Sequence, residues 1–305
     1  MSVSIAHIIN PVGVSPTHPL FAIQQITFES MRKAKDFSAA RNIEICSTQF
    51  EEDRSIIPTF ITVLPNLTRS VLDENKFTKQ RKLPLVADIL NAMGQHSKAD
   101  YFVFTNMDIG LMPSFYESVF TEIENGHDAI LITRRRIANA YHSINQLPVI
   151  YADLGKPHPG YDTFVFKREL LEKFILDKVC VGIPFLEVSL LHNLVAFSSN
   201  LKLMDRAHLT FHIGMEVMPP VDEEYYQHNR KCYETQILPK LKPLLAKEKF
   251  PYSDLSFFSR MLKWGLNPCY RTSLMLEMEG MNAKRKAKFL LDEIRWKILQ
   301  GSPIA

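Results

Sequence analysis

Apolar runs and amphipathic stretches alternate along the first half of the chain. Nearly wholly apolar runs, typical of strands buried on both faces of a sheet, lie at Ile5–Val12, Ile43–Ser47, Phe60–Leu64, Tyr101–Thr105 and Ala129–Thr133. Stretches with apolar residues at helical spacing lie between them, at Phe21–Lys35, Leu83–Met93 and Pro113–Asn125. This alternation predicts an α/β fold whose central sheet is mostly parallel and flanked by helices.

The alternation continues to about residue 220, and the pattern then becomes helical. Strands are predicted at Thr163–Lys167 and Leu209–Ile213, helices at Glu169–Leu176 and Phe185–Val195, and a loop at Leu147–Pro159. Beyond residue 220, helices are predicted at Tyr225–Leu238 and Lys284–Leu299. We therefore expect an α/β body over residues 1–220 and a helical, basic extension over residues 221–305 that packs on the body.

Composition removes several classes of enzyme. Only 11 of the 305 residues are glycine, about half of the usual ~7%. The chain contains no GxGxxG, GxxxxGK[ST] or GxSxG motif, which disfavours dinucleotide-binding enzymes, P-loop NTPases and nucleophile-elbow hydrolases.

Cysteine spacing and the apolar runs bear on where the protein works. The four cysteines form no CxxC pair, which disfavours a zinc site and a disulfide framework and favours a reducing compartment. The N-terminal run lacks the pattern of a signal peptide, and no apolar run reaches 18 residues. A cytoplasmic location is therefore expected.

Charge is distributed unevenly between body and extension. Residues 1–238 hold 23 basic and 27 acidic residues, whereas residues 239–305 hold 13 basic and 6 acidic ones. The stretches Leu255–Leu266 and Lys284–Leu299 mix these basic residues with aromatic and aliphatic ones. They are suited either to peripheral contact with an anionic membrane or to packing on the body with a solvated charged face. No nucleic-acid partner is expected.

The clearest candidate chemistry follows the strand Tyr101–Thr105. The strand ends on Asn106-Met107-Asp108, and ligands of open α/β sheets bind beyond the carboxyl ends of strands. Amide and carboxylate oxygens two residues apart are donors that hard divalent cations prefer. The alternative is an ordinary turn capped by these two side chains.

The Asn-Met-Asp segment resembles the DxD motif of GT-A fold glycosyltransferases, with Asn106 in place of the first aspartate. The resemblance implies a GT-A-like, Rossmann-like sheet, a nucleotide-diphosphate-sugar donor, and Mn²⁺ or Mg²⁺ held by Asn106 and Asp108. It also implies that Arg81 and Lys82, which precede a helix, hold the donor nucleotide together with Asn10 and Pro11 after the first strand. A solvated basic surface is the alternative for the lysine and arginine.

Three later segments resemble further elements of that family, in the expected order. Asp162 lies in a Gly-x-Asp loop that faces the donor sugar or the acceptor hydroxyl in the family, and Glu187 opens a helix like the catalytic base of inverting members. His212 belongs to a His-x-Gly element like one that supplies a metal ligand. The alternatives are a helix first-turn acid for Glu187 and a structural histidine for His212.

Three consecutive arginines, Arg134, Arg135 and Arg136, follow the predicted strand Ala129–Thr133. Guanidinium groups at the carboxyl end of a strand are placed to clamp a diphosphate, although a charged surface explains them equally. Cofactor-binding residues are thus expected to include Arg134 and Arg135.

Together these residues predict a metal-dependent, hexosyltransferase-like glycosyltransferase that acts on an unidentified glycan, lipid-linked or small-molecule acceptor. The alternative is a catalytically silent module on the same fold that binds a nucleotide sugar or a partner. A sugar-1-phosphate nucleotidyltransferase is disfavoured, because Asn10–Pro16 does not supply a basic glycine-rich loop.

Overall fold

The computed structural model of the chain describes residues 3–215, 221–277 and 291, and its centre is a sheet of nine strands. The strands are β1 Ser4–Ile9, β2 Asn42–Ser47, β3 Thr62–Val63, β4 Tyr101–Thr105, β5 Ile109–Leu111, β6 Ala129–Ile137, β7 Lys156–Lys167, β8 Leu201–Met204 and β9 Thr210–Ile213. Their order is β3-β2-β1-β4-β7-β6-β9-β5, and β8 pairs with the first part of β6.

Most neighbouring strands run parallel. Within the described residues, five strand pairs are parallel and three, β4·β7, β6·β7 and β5·β9, are antiparallel. The expected mostly parallel α/β fold is therefore confirmed. The antiparallel strand β7 lies between β4 and β6, so the part of the chain that enters β7 meets the carboxyl ends of both neighbours.

Helices cover both faces of the sheet. They are α1 Pro19–Phe37, α2 Val86–His96, α3 Phe115–Glu124, α4 Leu147–Ala152, α5 Arg168–Leu171, α6 Leu186–Phe197, α7 Glu223–Cys232, α8 Leu238–Leu241, α9 Phe257–Leu266 and α10 Arg271–Glu277. A π-helical segment, Tyr233–Ile237, joins α7 to α8. Among the helices with described coordinates, none has the length and apolar character needed to cross a membrane.

Alternate side chains of each strand enter two different cores. Phe102 and Phe104 of β4 pack with α2, α6 and the C-terminal extension, whereas Tyr101 and Val103 pack with α1 and α3. This division follows from the strand period of two residues. It also explains why β4 is buried at every position.

The described part of the extension shares the first of these cores. Its buried residues Tyr233, Ile237, Trp264 and Tyr270 belong to the same apolar cluster as the β4 phenylalanines. The sequence-predicted helix Lys284–Leu299 lies outside the described residues apart from Leu291.

Three local predictions were wrong. β6 continues to Ile137, so the three arginines lie within the strand instead of after it. The stretch 147–159 was expected to be a loop, but it contains α4 and the start of β7. The short strands β5 and β8 were not predicted.

The local sequence pattern did not predict the end of β6 or the start of β7, for physical reasons. Charged residues end the apolar run of β6, and Pro157 and Pro159 lack the N–H donors of ordinary strand residues. The β6·β7 pairing shifts register on either side of Thr133, and such bulges allow a strand to bend and continue.

Candidate active site

Strand register brings several of the predicted residues to one edge of the sheet. Ile8 of β1 pairs with Phe104 of β4 in parallel, so Asn10 and Asn106 lie two positions further along adjacent strands. In antiparallel β7, Thr163 pairs with Thr105, so Asp162 is the position next to Asn106. Asn10 and Asp162 therefore flank Asn106 at the carboxyl end of β4.

Asp108 and His212 are in contact at this edge. β9 pairs His212 with Ile109 of β5 and with Arg136 of β6, which places the imidazole beside the residue before β5. His212 Nε2 lies 3.0 Å from Asp108 Oδ2, with the carboxylate 34% exposed. Burial alone would raise the pKa of Asp108, but the hydrogen bond and positive charge of His212, with Arg134, lower it below its ordinary value.

The His-x-Gly sequence has a steric basis. Gly214 has φ +149°, and a Cβ there would lie 2.7 Å from Cε1 of His212. A side chain at this position would push the imidazole away, so the glycine permits the contact with Asp108.

The donor atoms around Asp108 fit a divalent cation. Asn106 Oδ1 is buried without a hydrogen-bond partner. A separation of 3.0 Å between Nε2 and Oδ2 is also about what two adjacent ligands, each ~2.1 Å from an octahedral cation, would have. In the ranges 3–215 and 221–277, no three His, Cys, Asp or Glu side chains converge on a metal site, so a cation here would have the amide oxygen of Asn106 as its third protein ligand.

A second charged group, Arg134 with Asp162 and Glu187, adjoins the first. The Arg134 guanidinium forms an ion pair with Asp162, and their side chains are 10% and 2% exposed. Burial opposes the charge of Arg134, yet the carboxylates of Asp162, Asp108 and Glu187 raise its pKa. Because Arg134 also lowers the pKa of Asp108, the two groups form one site.

Glu187 has an unusual environment for a carboxylate. It stands in the first turn of α6, where its Oε2 accepts from the backbone N–H of Tyr161 at 3.2 Å and from the Cys269 thiol at 3.5 Å. Burial and the negative charge of Asp162 outweigh Arg134 and raise the pKa of Glu187 to about 8. The surroundings of Glu187 therefore favour its protonated form more than water does.

Two neighbouring backbone positions, Gly160 and Phe185, shape the surroundings of Glu187. A Cβ on Gly160 would lie 2.7 Å from its Oε2, so this glycine leaves room for the carboxylate. Phe185, two residues earlier, has φ 75°, a left-handed conformation that is costly for a side chain of this size and is found most often at functional sites.

Two residues of the site were not predicted. His158 Nε2 lies 3.5 Å from a guanidinium nitrogen of Arg134, and its Nδ1 accepts from the Gly160 N–H at 2.9 Å. His158 precedes Asp162 by four residues in β7, and strand residues an even number of positions apart share a face. This spacing is a signal that could have identified His158. Cys269 comes from the extension, 82 residues after its partner Glu187, and no local motif marks it.

Arg135 does not join the site. Its guanidinium donates to the carbonyl of Asp153 at 2.5 Å and contacts the sulfur of Met112 at 3.1 Å. Neighbouring residues of a strand point to opposite faces, so Arg134 and Arg135 cannot both face the same crevice. Arg136 also differs from the expectation, since it donates to the carbonyl of Met215 at 2.6 Å.

The remaining residues expected to hold a nucleotide lie beyond the carboxyl ends of β1 and β2 or beside α7. Asn10 donates to the carbonyl of Thr48 at 2.6 Å, and Pro11 beside it is buried. Lys82 Nζ lies 2.5 Å from Glu52 and 4.1 Å from the centroid of the Phe50 ring. Arg81 stacks over the Tyr225 ring of α7 at 5.6 Å.

Comparison with known proteins found no matching family model and no matching curated protein. Similar solved structures include S. aureus TarS 1–349 in complex with UDP-GlcNAc, at 10% identity and TM-score 0.49, covering 99% of this chain and 93% of that one.

Mannosyltransferase PcManGT from Pyrobaculum calidifontis, in complex with GDP-Man and Mn²⁺, is 12% identical, with TM-score 0.47 and coverage of 98% and 81%. Glucosyl-3-phosphoglycerate synthase from Mycobacterium tuberculosis, in complex with Mn²⁺, UDP and phosphoglyceric acid, is 13% identical, with TM-score 0.45 and coverage of 78% of each chain. At these identities and TM-scores, function has to be inferred from the site itself.

Proposed function

We propose that the protein is a glycosyltransferase that moves a sugar from a nucleotide-diphosphate-sugar donor to an acceptor hydroxyl. The observation that carries this proposal is the pairing of two chemically different groups at one sheet edge. Asp108, His212 and the unpartnered amide of Asn106 offer cation ligands. Beside them, Arg134, Asp162 and Glu187 offer charge stabilisation and proton transfer.

Asn106, Asp108 and His212 would hold Mn²⁺ or Mg²⁺. When bound, such a cation supplies Lewis-acid neutralisation of the donor diphosphate and of the departing nucleotide diphosphate. Asp108 supplies the carboxylate oxygen that a hard divalent cation prefers, and His212 would bind through a neutral imidazole nitrogen.

Glu187 is the better of the two candidate bases. Asp162 is the counterion of Arg134, so its charge is already engaged. The pKa of Glu187, raised to about 8 by burial and by Asp162, lies near the working pH, where general bases are most effective. Glu187 would take the acceptor proton in an inverting reaction, whereas a retaining reaction needs no such base.

The edge beside β1 and β2 is the proposed site of the nucleotide. Asn10 and Pro11 follow β1, and Lys82 lies against Phe50, which follows β2. The Lys82 side chain is 48% exposed, so its ammonium is accessible to the phosphates of a nucleotide. Arg81, stacked on Tyr225, would contribute from the side of α7.

The proposal is tested by incubating the full chain with a panel of UDP- and GDP-sugars and Mn²⁺, with release of the nucleotide diphosphate as the readout. We expect hydrolysis or transfer with at least one donor, and Asp108→Ala should lower the rate by about 10²-fold or more. Asp36→Asn, which alters a 58% exposed carboxylate on α1, is the control and should leave it unchanged. The proposal would be wrong if the protein neither turned over nor bound any of these donors.

The second candidate is a silent nucleotide-sugar-binding module. It is favoured by the amide at position 106, where a carboxylate would bind a cation more strongly, and by the lack of a three-residue acidic or imidazole site in the described ranges. Binding of a donor without any turnover, unaffected by removal of divalent cations, would support this candidate instead.

A further inference from the structure

Helix α9 carries a stripe of large apolar side chains on its outer face. Phe258, Leu262 and Leu266 are 84%, 63% and 69% exposed, and residues four apart on a helix share one face. Isolated apolar residues are common on protein surfaces, but a contiguous row of them marks an interaction site. We call Phe258, Leu262 and Leu266 the α9 stripe.

The α9 stripe is held outward by the opposite face of the same helix. Trp264 is 1% exposed, and its Nε1 donates to the carbonyl of Pro251 at 2.8 Å. Arg260 donates to the carbonyls of Ser253 and Leu255 at 3.0 and 2.9 Å. The helix therefore cannot roll to bury the stripe without breaking these contacts.

Charge distinguishes between the possible occupants of this surface. Residues 239–305 carry 13 basic and 6 acidic residues, against 23 and 27 in residues 1–238. A second copy seated on the stripe would bring two strongly basic extensions together, which is unfavourable. An anionic lipid surface attracts the same charge, and lysines beside an apolar face are typical of helices that lie at the membrane interface.

We propose that α9 docks the protein on an anionic bilayer, with the α9 stripe inserted at the interface and the basic residues of the extension drawn toward the headgroups. Lys263 of α9 is 44% exposed and its ammonium lies 4.0 Å from Asp205, so it contributes less to this attraction than an unpaired lysine would.

The docking surface is continuous with the candidate active site. Asn267, the residue after α9, donates to the carbonyl of Pro159 at 2.6 Å, and Cys269 contacts Glu187. Leu266 and Cys269 are three residue steps apart in the chain, which spans at most ~11 Å. If the proposed function holds, the acceptor is therefore an amphiphile presented by the membrane.

Vesicle cosedimentation of the full chain tests the docking directly. The probes are vesicles of phosphatidylcholine alone and of phosphatidylcholine with about one third phosphatidylserine, at low and high salt. We expect binding to the anionic vesicles, weakened by salt, and a loss of at least tenfold in the variant Phe258→Ser, Leu262→Ser, Leu266→Ser.

A matched control has the same kinds of substitution elsewhere. Phe37, Val149 and Leu154 are 62%, 58% and 76% exposed on the body, and their triple serine variant should bind vesicles as the wild type does. A second readout is Phe258→Trp, whose added fluorescence should shift to the blue with anionic vesicles.

Three results would overturn the proposal: no binding to anionic vesicles, equal binding by the stripe variant, or dimers that the stripe variant abolishes without any vesicle binding. Equal binding by the variant would assign the attraction to basic charge elsewhere. Vesicle binding does not require turnover, so failure of the donor panel with binding intact would remove the proposed function and leave this docking standing.

Discussion

At the scale of single residues, the site shows how position sets the chemistry of similar groups. Asp162 and Glu187 are both carboxylates near Arg134, but only Asp162 forms the ion pair with it. Glu187, enclosed and beside the charge of Asp162, has its pKa raised to about 8. One carboxylate thus serves as a counterion, while the other can exchange a proton near neutral pH.

Glu187→Gln should change stability in a pH-dependent way. Because the folded-state pKa lies above the ordinary value of 4.5, the folded chain favours the protonated form, and this contribution is lost as pH rises from 4.5 through 8. The neutral glutamine avoids that loss, so the variant should gain about 1–3 kcal/mol over the wild type at pH 9 and little at pH 4.

Denaturant unfolding at the two pH values measures this difference. Glu169→Gln, which changes a 64% exposed carboxylate, is the control and should show nearly the same small effect at both. A Glu187→Gln variant that is no more stable relative to wild type at pH 9 than at pH 4 would contradict the raised pKa.

At the scale of elements, the extension is part of the wall of the site. The segment after α9 contributes Cys269 to Glu187 and Asn267 to the carbonyl of Pro159. In the core beside the site, the ring of Tyr270 packs against that of Tyr161 of β7, with 6.2 Å between the ring centroids. The extension therefore contacts the part of β7 that leads to Asp162 as well as Glu187.

Truncating two aromatic residues of α9 should change the free energy of unfolding by very different amounts. Trp264→Ala removes a ring buried among Phe250 and Tyr270 and should destabilise the protein by about 3–5 kcal/mol. Phe258→Ala removes an exposed ring and should change the free energy of unfolding by less than about 0.5 kcal/mol. Urea unfolding followed by circular dichroism measures both, and similar losses would mean that α9 faces the core differently.

At the scale of the whole molecule, body and extension are joined by a common core. Phe102 and Leu190 of the body and Ile237 and Tyr270 of the extension belong to one apolar cluster. The expected division at residue 220 therefore marks a change of secondary-structure pattern within one core, and we predict that the two parts unfold together.

The tryptophans allow that cooperativity to be measured. Both of them, Trp264 and Trp296, lie in the extension, so their fluorescence follows this part while far-ultraviolet circular dichroism follows the entire chain. Thermal unfolding should give the same midpoint with both probes, as expected for a two-state transition. Fluorescence that changes well before circular dichroism would show that the extension is a separate folding unit.

The sequence alone determined the kinds of elements and the positions of several central strands. Apolar runs predicted β2 and β4 nearly to the residue and β1 apart from its end, and the Asn106–Asp108 segment was found because it follows such a run. These features depend on interactions between residues close in the chain, which hydrophobic periodicity records directly. The mostly parallel sheet followed from the same alternation.

Only the tertiary structure decided which side chains meet. His212 reaches Asp108 because β9 lies between β5 and β6, Arg135 leaves the site because the strand alternates, and Cys269 arrives from a helix-rich segment that carries no motif. Contacts between residues about 80 to 100 positions apart depend on strand order, register and bulges. Those are fixed by the packing of the entire core, which no local window of sequence contains.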